Sequence, residues 1–268
     1  MKKRVFCFIM VVIVALSLTA CGSKGEGSWE YIEKKGTFIL GLDDSFPPMG
    51  FRDDDNNIVG FDVDLAKAVC EKLGVELVLQ PIKWTAKEQE LNTKNIDCIW
   101  NGFSVTEERL ANLTMSIPYM ENTIAMVVVK DSGIKNKADM AGKRLAVQGG
   151  SSAEEALNSD ENKDFRESLG EINASFKDYV TALMDLETGN SDAVLMDSVV
   201  ANYMINEAGK NYVILDDSLV AEEYAIGFRK GEEALAEAVN KALRELKNDG
   251  TVERIATEWF GSDITIIK

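Results

Sequence analysis

The chain has 268 residues, 46% of them hydrophobic and 28% charged, which is enough for a large core and for one or two domains. Its formal net charge of −16 argues against a nucleic-acid partner, because binding to phosphates needs clustered Lys and Arg. The sequence contains no histidine, which excludes Ser-His-Asp and Cys-His catalysis and histidine-ligated metal sites. No catalytic residue, metal site or cofactor is predicted.

The N-terminus has the pattern of an export signal. Three basic residues at positions 2–4 precede an apolar stretch at 5–18. This stretch is too short for a membrane-spanning helix, so residues 1–20 are predicted to be a signal peptide.

The signal ends in LTAC (residues 18–21), which resembles the lipobox of bacterial lipoproteins. The resemblance implies cleavage before Cys21 and attachment of diacylglycerol to its thiol. The alternative is an ordinary signal peptide followed by a chance cysteine. Residues 21–28 are predicted to form a flexible tether.

Strand and helix patterns alternate from Thr37 onwards. In the first half they predict strands at 37–42, 75–80 and 96–100, a hairpin-like excursion over 50–61, and helices at 61–74 and 85–94. The hairpin tip, DDDNN (53–57), could be taken for half of a calcium loop. It lacks the Gly and the distal Glu at the required spacing, so a solvated turn is predicted.

The second half repeats this alternation. It predicts strands at 144–148, 192–197, 211–216 and 224–230. It also predicts a helix that begins after the loop 149–152, helices at 177–189, 198–209 and 232–250, and a final helix that ends near residue 261. Strands that alternate with helices indicate parallel sheets covered by helices. A single sheet would have to be very wide, so two α/β lobes are expected. Cys70 and Cys98 are predicted to be unpaired core residues, with a disulfide between them left open.

Polar residues follow three of the predicted strands. They are NGFSVTEER (101–109), GGSSAEE (149–155) and Asp197. Ligands of open α/β sheets bind beyond the carboxyl ends of the strands, so these three places are candidates for one binding site.

The segment 149–155 can open a helix with free N–H groups, capped by Ser151 or Ser152. Such a helix N-terminus binds carboxylates, although a plain N-cap explains the pattern equally. Asp197 could accept hydrogen bonds from an ammonium group, or it could cap the next helix.

The segment 101–109 contains Ser104 and Glu107 at the spacing of a capping box, and either Ser104 or Thr106 could cap the helix that follows. Arg109 then falls in the first helical turn, where a cation opposes the helix dipole. A guanidinium there could hold a carboxylate through two hydrogen bonds, or it could pair with a nearby surface acid. Together with 149–155 and Asp197, Arg109 suggests a receptor for a zwitterion, namely an α-amino acid.

Five motifs in the same order resemble those of a known family. They are GFDVDLAKAV (60–69), NIDCIWNGFSVTEER (95–109), SIPY (116–119), LAVQGGSSAEE (145–155) and LKNDGTVERIATEWFG (246–261). The chain resembles, over residues 28–262, the extracellular solute-binding proteins of polar amino-acid ABC transporters, which have the type II periplasmic-binding fold.

The resemblance implies two Rossmann-like α/β lobes joined by a two-strand hinge, with the ligand held between them. Residues 29–120 and 224–268 would form the first lobe, and residues 121–223 the second. The family position of Arg109 implies that it holds the ligand carboxylate with help from Ser152 and its neighbour Ser151.

The same resemblance implies an ammonium site and a side-chain pocket. Ser104, the Gly102 backbone and Asp197 would receive the α-ammonium group. The side-chain pocket would be lined by Asp43, Phe46 and Trp84, and Asn101 could also reach the ligand side chain. For the two aromatic residues, packing in the core is the alternative.

Asp43 offers a hydrogen-bond acceptor and Trp84 a flat face for a stem, amide or guanidinium. These features favour glutamine, arginine, lysine or histidine over glutamate or aspartate. The implied protein is a monomer outside the cytoplasm, anchored through Cys21, that delivers its ligand to an ABC permease and its ATPase.

Two other functions stay open from the sequence. The same fold hosts secreted cyclohexadienyl dehydratases, which need a general acid over a cyclic substrate. A ligand sensor is the other alternative, and it would have to signal through a partner protein.

Overall fold

The computed structural model describes residues 28–206 and 208–268. The predicted signal peptide, Cys21 and nearly all of the predicted tether lie outside these residues. Ser28, the last residue of the predicted tether, is the first residue of a helix, and its Oγ accepts a hydrogen bond from the Leu235 backbone N–H. In the described part of the chain, no helix is long and apolar enough to cross a membrane.

The elements are numbered in chain order. Residues 28–115 form α1 (Ser28–Lys35), β1 (Thr37–Leu42), β2 (Ser45–Phe46), β3 (Gly50–Arg52), β4 (Ile58–Val59), α2 (Phe61–Leu73), β5 (Glu76–Pro81), α3 (Lys87–Asn92), β6 (Cys98–Ile99), α4 (Glu107–Asn112) and β7 (Leu113–Met115).

Residues 120–224 form β8 (Met120–Val129), β9 (Arg144–Gln148), α5 (Ser152–Asn158), α6 (Lys163–Ser168), β10 (Glu171–Phe176), α7 (Tyr179–Glu187), β11 (Ala193–Asp197), α8 (Ser198–Asn206) and β12 (Tyr212–Tyr224). The chain ends with β13 (Gly227–Arg229), α9 (Glu233–Asn248) and α10 (Thr251–Phe260).

The described chain contains two five-stranded sheets, each the centre of one α/β lobe. The first has the strand order β5-β1-β6-β13-β7 and the second the order β10-β9-β11-β8-β12, while β2, β3 and β4 form a small separate sheet in the first lobe. The expected architecture of two α/β lobes is therefore confirmed.

Two long strands connect the lobes. β8 and β12 pair antiparallel, and the pairing reaches Met120 and Tyr224 at the edge of the first lobe. There Tyr224 bridges to Ser104 and Met120 bridges to Thr265. The expected two-strand hinge is present.

The sheets contain the predicted parallel strands and, in addition, antiparallel strands that the alternation of strands and helices did not indicate. β5, β1 and β6 are parallel, as are β10, β9 and β11, whereas β13 and β8 run antiparallel to their neighbours. The antiparallel strands are those that carry the chain out of or back into a lobe. A strand that arrives through the hinge meets the sheet from the opposite end.

Helix α2 shows how the sequence produces the core. Phe61, Leu65 and Val69 recur at helical spacing and are buried, and Gly74 ends the helix in the left-handed conformation. The largest buried cluster continues through Phe46 and Tyr179, whose ring centres lie 5.7 Å apart across the two lobes. Cys70 and Cys98 lie in this cluster as free thiols, as predicted.

Gly60, before α2, has φ +140°, and an added Cβ would lie 2.3 Å from the Met49 carbonyl oxygen. We expect Gly60→Ala to lower the free energy of unfolding by at least about 3 kcal/mol, because both the backbone conformation and the close contact disfavour a side chain.

The matched control is Gly74→Ala, since Gly74 has φ +73° but no atom within 4 Å of an added Cβ. It should lose only about 1 kcal/mol. Denaturant unfolding of both variants measures the difference, and equal losses would show that the contact with Met49 does not matter.

Candidate functional site

The carboxyl ends of four strands meet between the lobes. β1 and β6 lead into Asp43 and residues 101–104 in the first lobe, while β9 and β11 end at Gln148 and Asp197 in the second. A cavity of about 10 Å³ lies between them, with these lining residues: Phe46, Trp84, Gly102, Arg109, Gln148, Ser151, Ser152, Tyr179 and Asp197. Seven of the ten ligand-binding residues predicted from the sequence therefore line the cavity, and the other three lie directly behind it.

Arg109 lies in the first turn of α4 and is only 6% exposed. Its Nη1 donates to the Ser104 carbonyl at 2.7 Å, and its guanidinium carbon lies 4.1 Å from the centre of the Phe103 ring. No carboxylate of the described residues lies within ion-pair distance of Arg109, so the surface-acid alternative does not apply. The guanidinium is held against the cavity with capacity for a carboxylate.

One of the two predicted caps of α4 is present. Thr106, and not Ser104, is the N-cap residue, and its Oγ1 accepts from the Arg109 backbone N–H. The Ser104–Glu107 capping box is therefore wrong. The Ser104 hydroxyl bonds instead to Glu222 at 2.6 Å, which places Ser104 in the cleft network.

Asp197 is 3% exposed at the end of β11. Its carboxylate accepts hydrogen bonds from Tyr224 Oη at 2.6 Å, Asn122 Nδ2 at 2.7 Å and Tyr179 Oη at 2.8 Å. Burial raises its pKa, while the tyrosine hydroxyls and Arg109 oppose that rise. All three donors are neutral side chains, so the carboxylate faces the cavity without a cationic partner.

Glu222, on the hinge strand β12, was not found from the sequence. Its Oε2 accepts from Ser104 Oγ at 2.6 Å and from Ser152 Oγ at 3.2 Å, and the two hydroxyls lie 3.1 Å apart. Burial and the neighbouring Asp197 raise the pKa of Glu222 to about 7. The segment VAEEY gives no local sign of this role, because it depends on pairing between distant strands.

The helix at GGSSAEE forms as predicted. Ser151 is the N-cap residue of α5, with its Oγ accepting from the Glu154 backbone N–H, and Ser152 is the first helical residue. Ser151 therefore fills the capping role, and Ser152 keeps its hydroxyl in the cleft.

Asp43 and Gln148 join the lobes at the other side of the cavity. Gln148 Nε2 donates to Asp43 Oδ2 at 2.8 Å, and the Ser45 backbone N–H donates to Asp43 Oδ1. Burial is the main cause that raises the pKa of Asp43 to about 6. Gln148 was missed, although its position as the last residue of β9 could have marked it.

Asn101 lies behind the cavity. Its Oδ1 accepts from the Asp43 backbone N–H at 2.9 Å, and its buried Nδ2 has no hydrogen-bond partner in the described structure. It holds the turn that carries Asp43, so the structure places Asn101 in a supporting position, one layer from the cavity.

Gly102 needs to be a glycine. It has φ +54°, and an added Cβ would lie 2.7 Å from Phe46 Cε1. Its N–H donates to the buried Asp62 carboxylate at 2.7 Å, and burial raises the pKa of Asp62 to about 7. Asp62 therefore fixes the backbone that forms this wall of the cavity.

The two predicted aromatic residues both pack and line the cavity. Phe46 contacts Tyr179 of the second lobe, and Trp84 meets the Phe103 ring edge-on at 6.0 Å. Lys87 Nζ lies 5.3 Å from the centre of the Trp84 ring and donates to the Gly150 carbonyl at 2.8 Å. This interlobe bond borders a groove of about 650 Å³ that opens outside Arg109.

The cavity has room for about one water molecule, whereas an amino acid is many times larger. The lobes must therefore move apart to admit such a ligand. The hydrogen bonds Asp43–Gln148, Ser104–Ser152 and Lys87–Gly150 are among the interlobe contacts that would have to break.

Comparison with known proteins gives one consistent relationship. Residues 38–262 match the sequence profile of the bacterial extracellular solute-binding proteins, family 3. The L-cystine-binding protein TcyJ of Escherichia coli (strain K12) is 30% identical over 260 residues, which cover 96% of this chain and 95% of that protein. The arginine-binding extracellular protein ArtP of Bacillus subtilis (strain 168) is 31% identical, with coverage of 96% and 98%.

A solved structure supports the same family relationship. The ABC uptake transporter substrate binding protein from Streptococcus pneumoniae, with bound histidine, is 37% identical and has a TM-score of 0.84. The match covers 89% of this chain and 98% of that one.

We expect Gln148→Leu to raise the pKa of Asp43 above its value of about 6, because the amide hydrogen bond favours the ionised carboxylate. A ¹³C NMR titration of the ligand-free protein, with the Asp43 signal assigned from an Asp43→Asn variant, measures this. Gln80→Leu, at an exposed glutamine, is the control and should leave the midpoint unchanged. A midpoint below 6 in Gln148→Leu would mean that water reaches Asp43 and would contradict the closed contact.

Proposed function

Because the chain belongs to the bacterial extracellular solute-binding proteins, family 3, we propose that it captures a polar amino acid between its lobes and delivers it to the permease of an ABC importer. One observation carries the proposal. A buried arginine of the first lobe and a buried aspartate of the second line the same cavity without pairing with each other.

This arrangement suits a zwitterion. Arg109 offers N–H donors for an α-carboxylate, and the N-terminus of α5 with the Ser152 hydroxyl can add more. Asp197 accepts hydrogen bonds from an α-ammonium group, with Ser104 and the Gly102 backbone beside it. An α-amino acid satisfies both charges at once.

The side-chain pocket favours a ligand with donor groups. Asp43 and Gln148 lie at its end, and Trp84 provides a flat apolar wall. We propose glutamine, arginine, lysine or histidine as the ligand, since an acidic side chain would face the Asp43 carboxylate. The arginine-binding relative and the histidine-bound structure support a basic or amide side chain.

Ligand binding would act by closing the lobes. We propose that residues 29–120 and 224–268 move as one lobe and residues 121–223 as the other, because the strands of the two sheets divide in this way. A ligand that contacts Arg109 and Asp197 together stabilises the closed form over the open one. The closed form would then dock on the permease as a monomer.

The proposed location follows from the N-terminus and the family. The family is extracellular by its description, and we propose that a lipid on Cys21 anchors the chain to the membrane after removal of residues 1–20. We propose a binding role and not a catalytic one, since the two relatives and the solved structure described above are all named as binding proteins.

Calorimetric titration of the twenty amino acids and L-cystine into the mature protein tests the proposal. We expect tight binding of glutamine, arginine, lysine or histidine, and heat only from ligands with a free α-carboxylate and a free α-ammonium group. Tight binding of glutamate or aspartate alone would refute the role of Asp43. Binding of none, together with turnover of prephenate or arogenate, would favour the dehydratase function.

The carboxylate clamp predicts a large effect at Arg109. Arg109→Ala should weaken amino-acid binding about 100-fold or more, because it leaves the ligand carboxylate unpaired in a buried site. Arg109→Lys should recover only part of the affinity, since an ammonium group lacks the planar fork. Arg144→Lys is the matched control, because Arg144 pairs with Asp192 away from the cleft. Unchanged affinity in Arg109→Ala, with the fold intact, would disprove the clamp.

The lipid anchor predicts that the full chain sediments with membranes and that Cys21→Ser appears in the soluble exported fraction. Metabolic labelling with a palmitate analogue should mark the unmodified sequence and not the variant. Labelling of Cys21→Ser would mean that the lipid is attached at another residue. A soluble, unlabelled unmodified protein would argue for an ordinary signal peptide.

A further inference from the structure

Glu222 controls which way two cleft hydroxyls point. A serine hydroxyl can donate one hydrogen bond and accept two. Ser104 Oγ and Ser152 Oγ both lie within hydrogen-bond distance of Glu222 Oε2, at 2.6 and 3.2 Å. When Glu222 is ionised it can only accept, so both hydroxyls donate to it and turn their lone pairs toward other groups. Lone pairs receive an ammonium group and repel a carboxylate.

Glu222 also adjoins the predicted ammonium site. Asn122 Nδ2 donates to Asp197 Oδ1 at 2.7 Å and reaches Glu222 Oε2 at 3.3 Å, so one amide bridges the two carboxylates. Neither carboxylate has an ion-pair partner among the described residues. Arg109, which is buried and lines the cavity, is the cation that faces both of them, and it carries one charge against two.

We propose that Glu222 is a specificity-determining residue of the cleft, which with Asp197 forms a two-carboxylate site for the ligand ammonium group and fixes Ser104 and Ser152 as acceptors. This inference rests on the proposed function. It changes the role of Ser152, because its hydroxyl then faces the ammonium end of the ligand, while its backbone N–H stays available for the carboxylate.

The charge balance gives the inference a measurable consequence. The ligand ammonium supplies the second positive charge, so ionisation of both carboxylates is favoured in the complex. Burial and Asp197 raise the pKa of Glu222 to about 7, so near pH 7 part of this carboxyl is protonated before binding. Binding lowers that pKa and releases the proton, and affinity rises as the pH increases from 6 to 8.

Other charged groups surround Glu222, and they do not replace the second positive charge that the ligand ammonium group brings. Asp197 and Arg109 face it inside the cleft, and further acidic residues line the grooves on its outer side: Glu107, Glu121, Glu155, Glu161 and Glu223. The outer acids add negative charge, which strengthens the need for an ammonium partner. Asp43 can also lose a proton to solvent when it meets a cationic ligand side chain. The contribution of Glu222 is therefore measured as the difference between the unmodified protein and a Glu222 variant.

The first experiment titrates L-arginine, L-histidine and L-glutamine into the unmodified protein at pH 7. Calorimetry in buffers with different ionisation enthalpies reports the protons released on binding. We expect release for each probe that binds, including L-glutamine, whose side chain carries no charge. Binding of these probes without proton release would overturn the inference.

The second experiment compares Glu222→Gln with Glu223→Gln. We expect Glu222→Gln to bind the same probes about tenfold or more weakly, to release fewer protons per ligand, and to lose most of the rise in affinity between pH 6 and 8. Glu223 is exposed on the same strand and carries the same charge, so Glu223→Gln should behave like the unmodified protein. Thermal unfolding checks that both variants fold.

The outcomes separate this inference from the function on which it rests. Binding of no amino acid by the unmodified protein refutes both. Tighter binding by Glu222→Gln would mean that Glu222 competes with the ligand carboxylate for the serines, and it refutes only the role proposed here. Equal affinity and equal proton release in Glu222→Gln and Glu223→Gln refute it as well.

Discussion

A buried guanidinium and a buried carboxylate, those of Arg109 and Asp197, line one small cavity. The half-buried Glu222 lies beside it, and no ion pair joins the three groups. Charges removed from water are strongly unfavourable unless they are paired or hydrogen-bonded. Here Arg109 is held by a carbonyl and an aromatic ring, and Asp197 by an amide and two tyrosine hydroxyls. These neutral partners offset part of the free-energy cost of burying each charge. They do not supply the oppositely charged group that each of the two side chains would bind most strongly. A zwitterion supplies both partners, and since they lie on different lobes, it does so only when the lobes are together.

The rest of the fold serves to keep these groups in place. The Asp62 carboxylate holds Gly102 by accepting a hydrogen bond from its backbone N–H, and the Asn101 side chain holds the turn of Asp43 in the same way. Both supports are buried behind the cavity, where water cannot compete for their hydrogen bonds. The direct hydrogen bonds between the lobes, such as that from Gln148 to Asp43, are by contrast few. In each of them at most one of the two partners carries a charge. Each contributes on the order of 1 kcal/mol, so ligand contacts with charged groups can dominate the balance between open and closed forms.

Local patterns in the sequence predicted much of this arrangement. The spacing of Phe61, Leu65 and Val69 gave the helix with its end at Gly74, and Asp197 and the segment 149–155 were placed correctly at strand ends. These features depend on neighbouring residues, which is what periodicity and capping rules describe.

The errors and omissions all involve long-range pairing. Ser104 fits a capping box by spacing, but Thr106 caps the helix because Ser104 bonds to Glu222, 118 positions later. Gln148 and Glu222 became visible only once β9 and the hinge strand β12 were placed opposite the first lobe. The antiparallel strands were missed for the same reason, since sequence alternation does not show from which end a strand enters a sheet.

Glu222 and Tyr224 are two positions apart on β12, so their side chains leave the strand on the same face. Both belong to the network around Asp197, and Tyr224 is also where the chain passes between the lobes. Bending of this strand therefore displaces two members of the network around Asp197 together. The proposed binding of the ligand ammonium group and the closure of the lobes would then depend on the same strand. The Asp43–Gln148 end lies on other strands, so substitutions there can change the preferred side chain while the hinge keeps its own geometry.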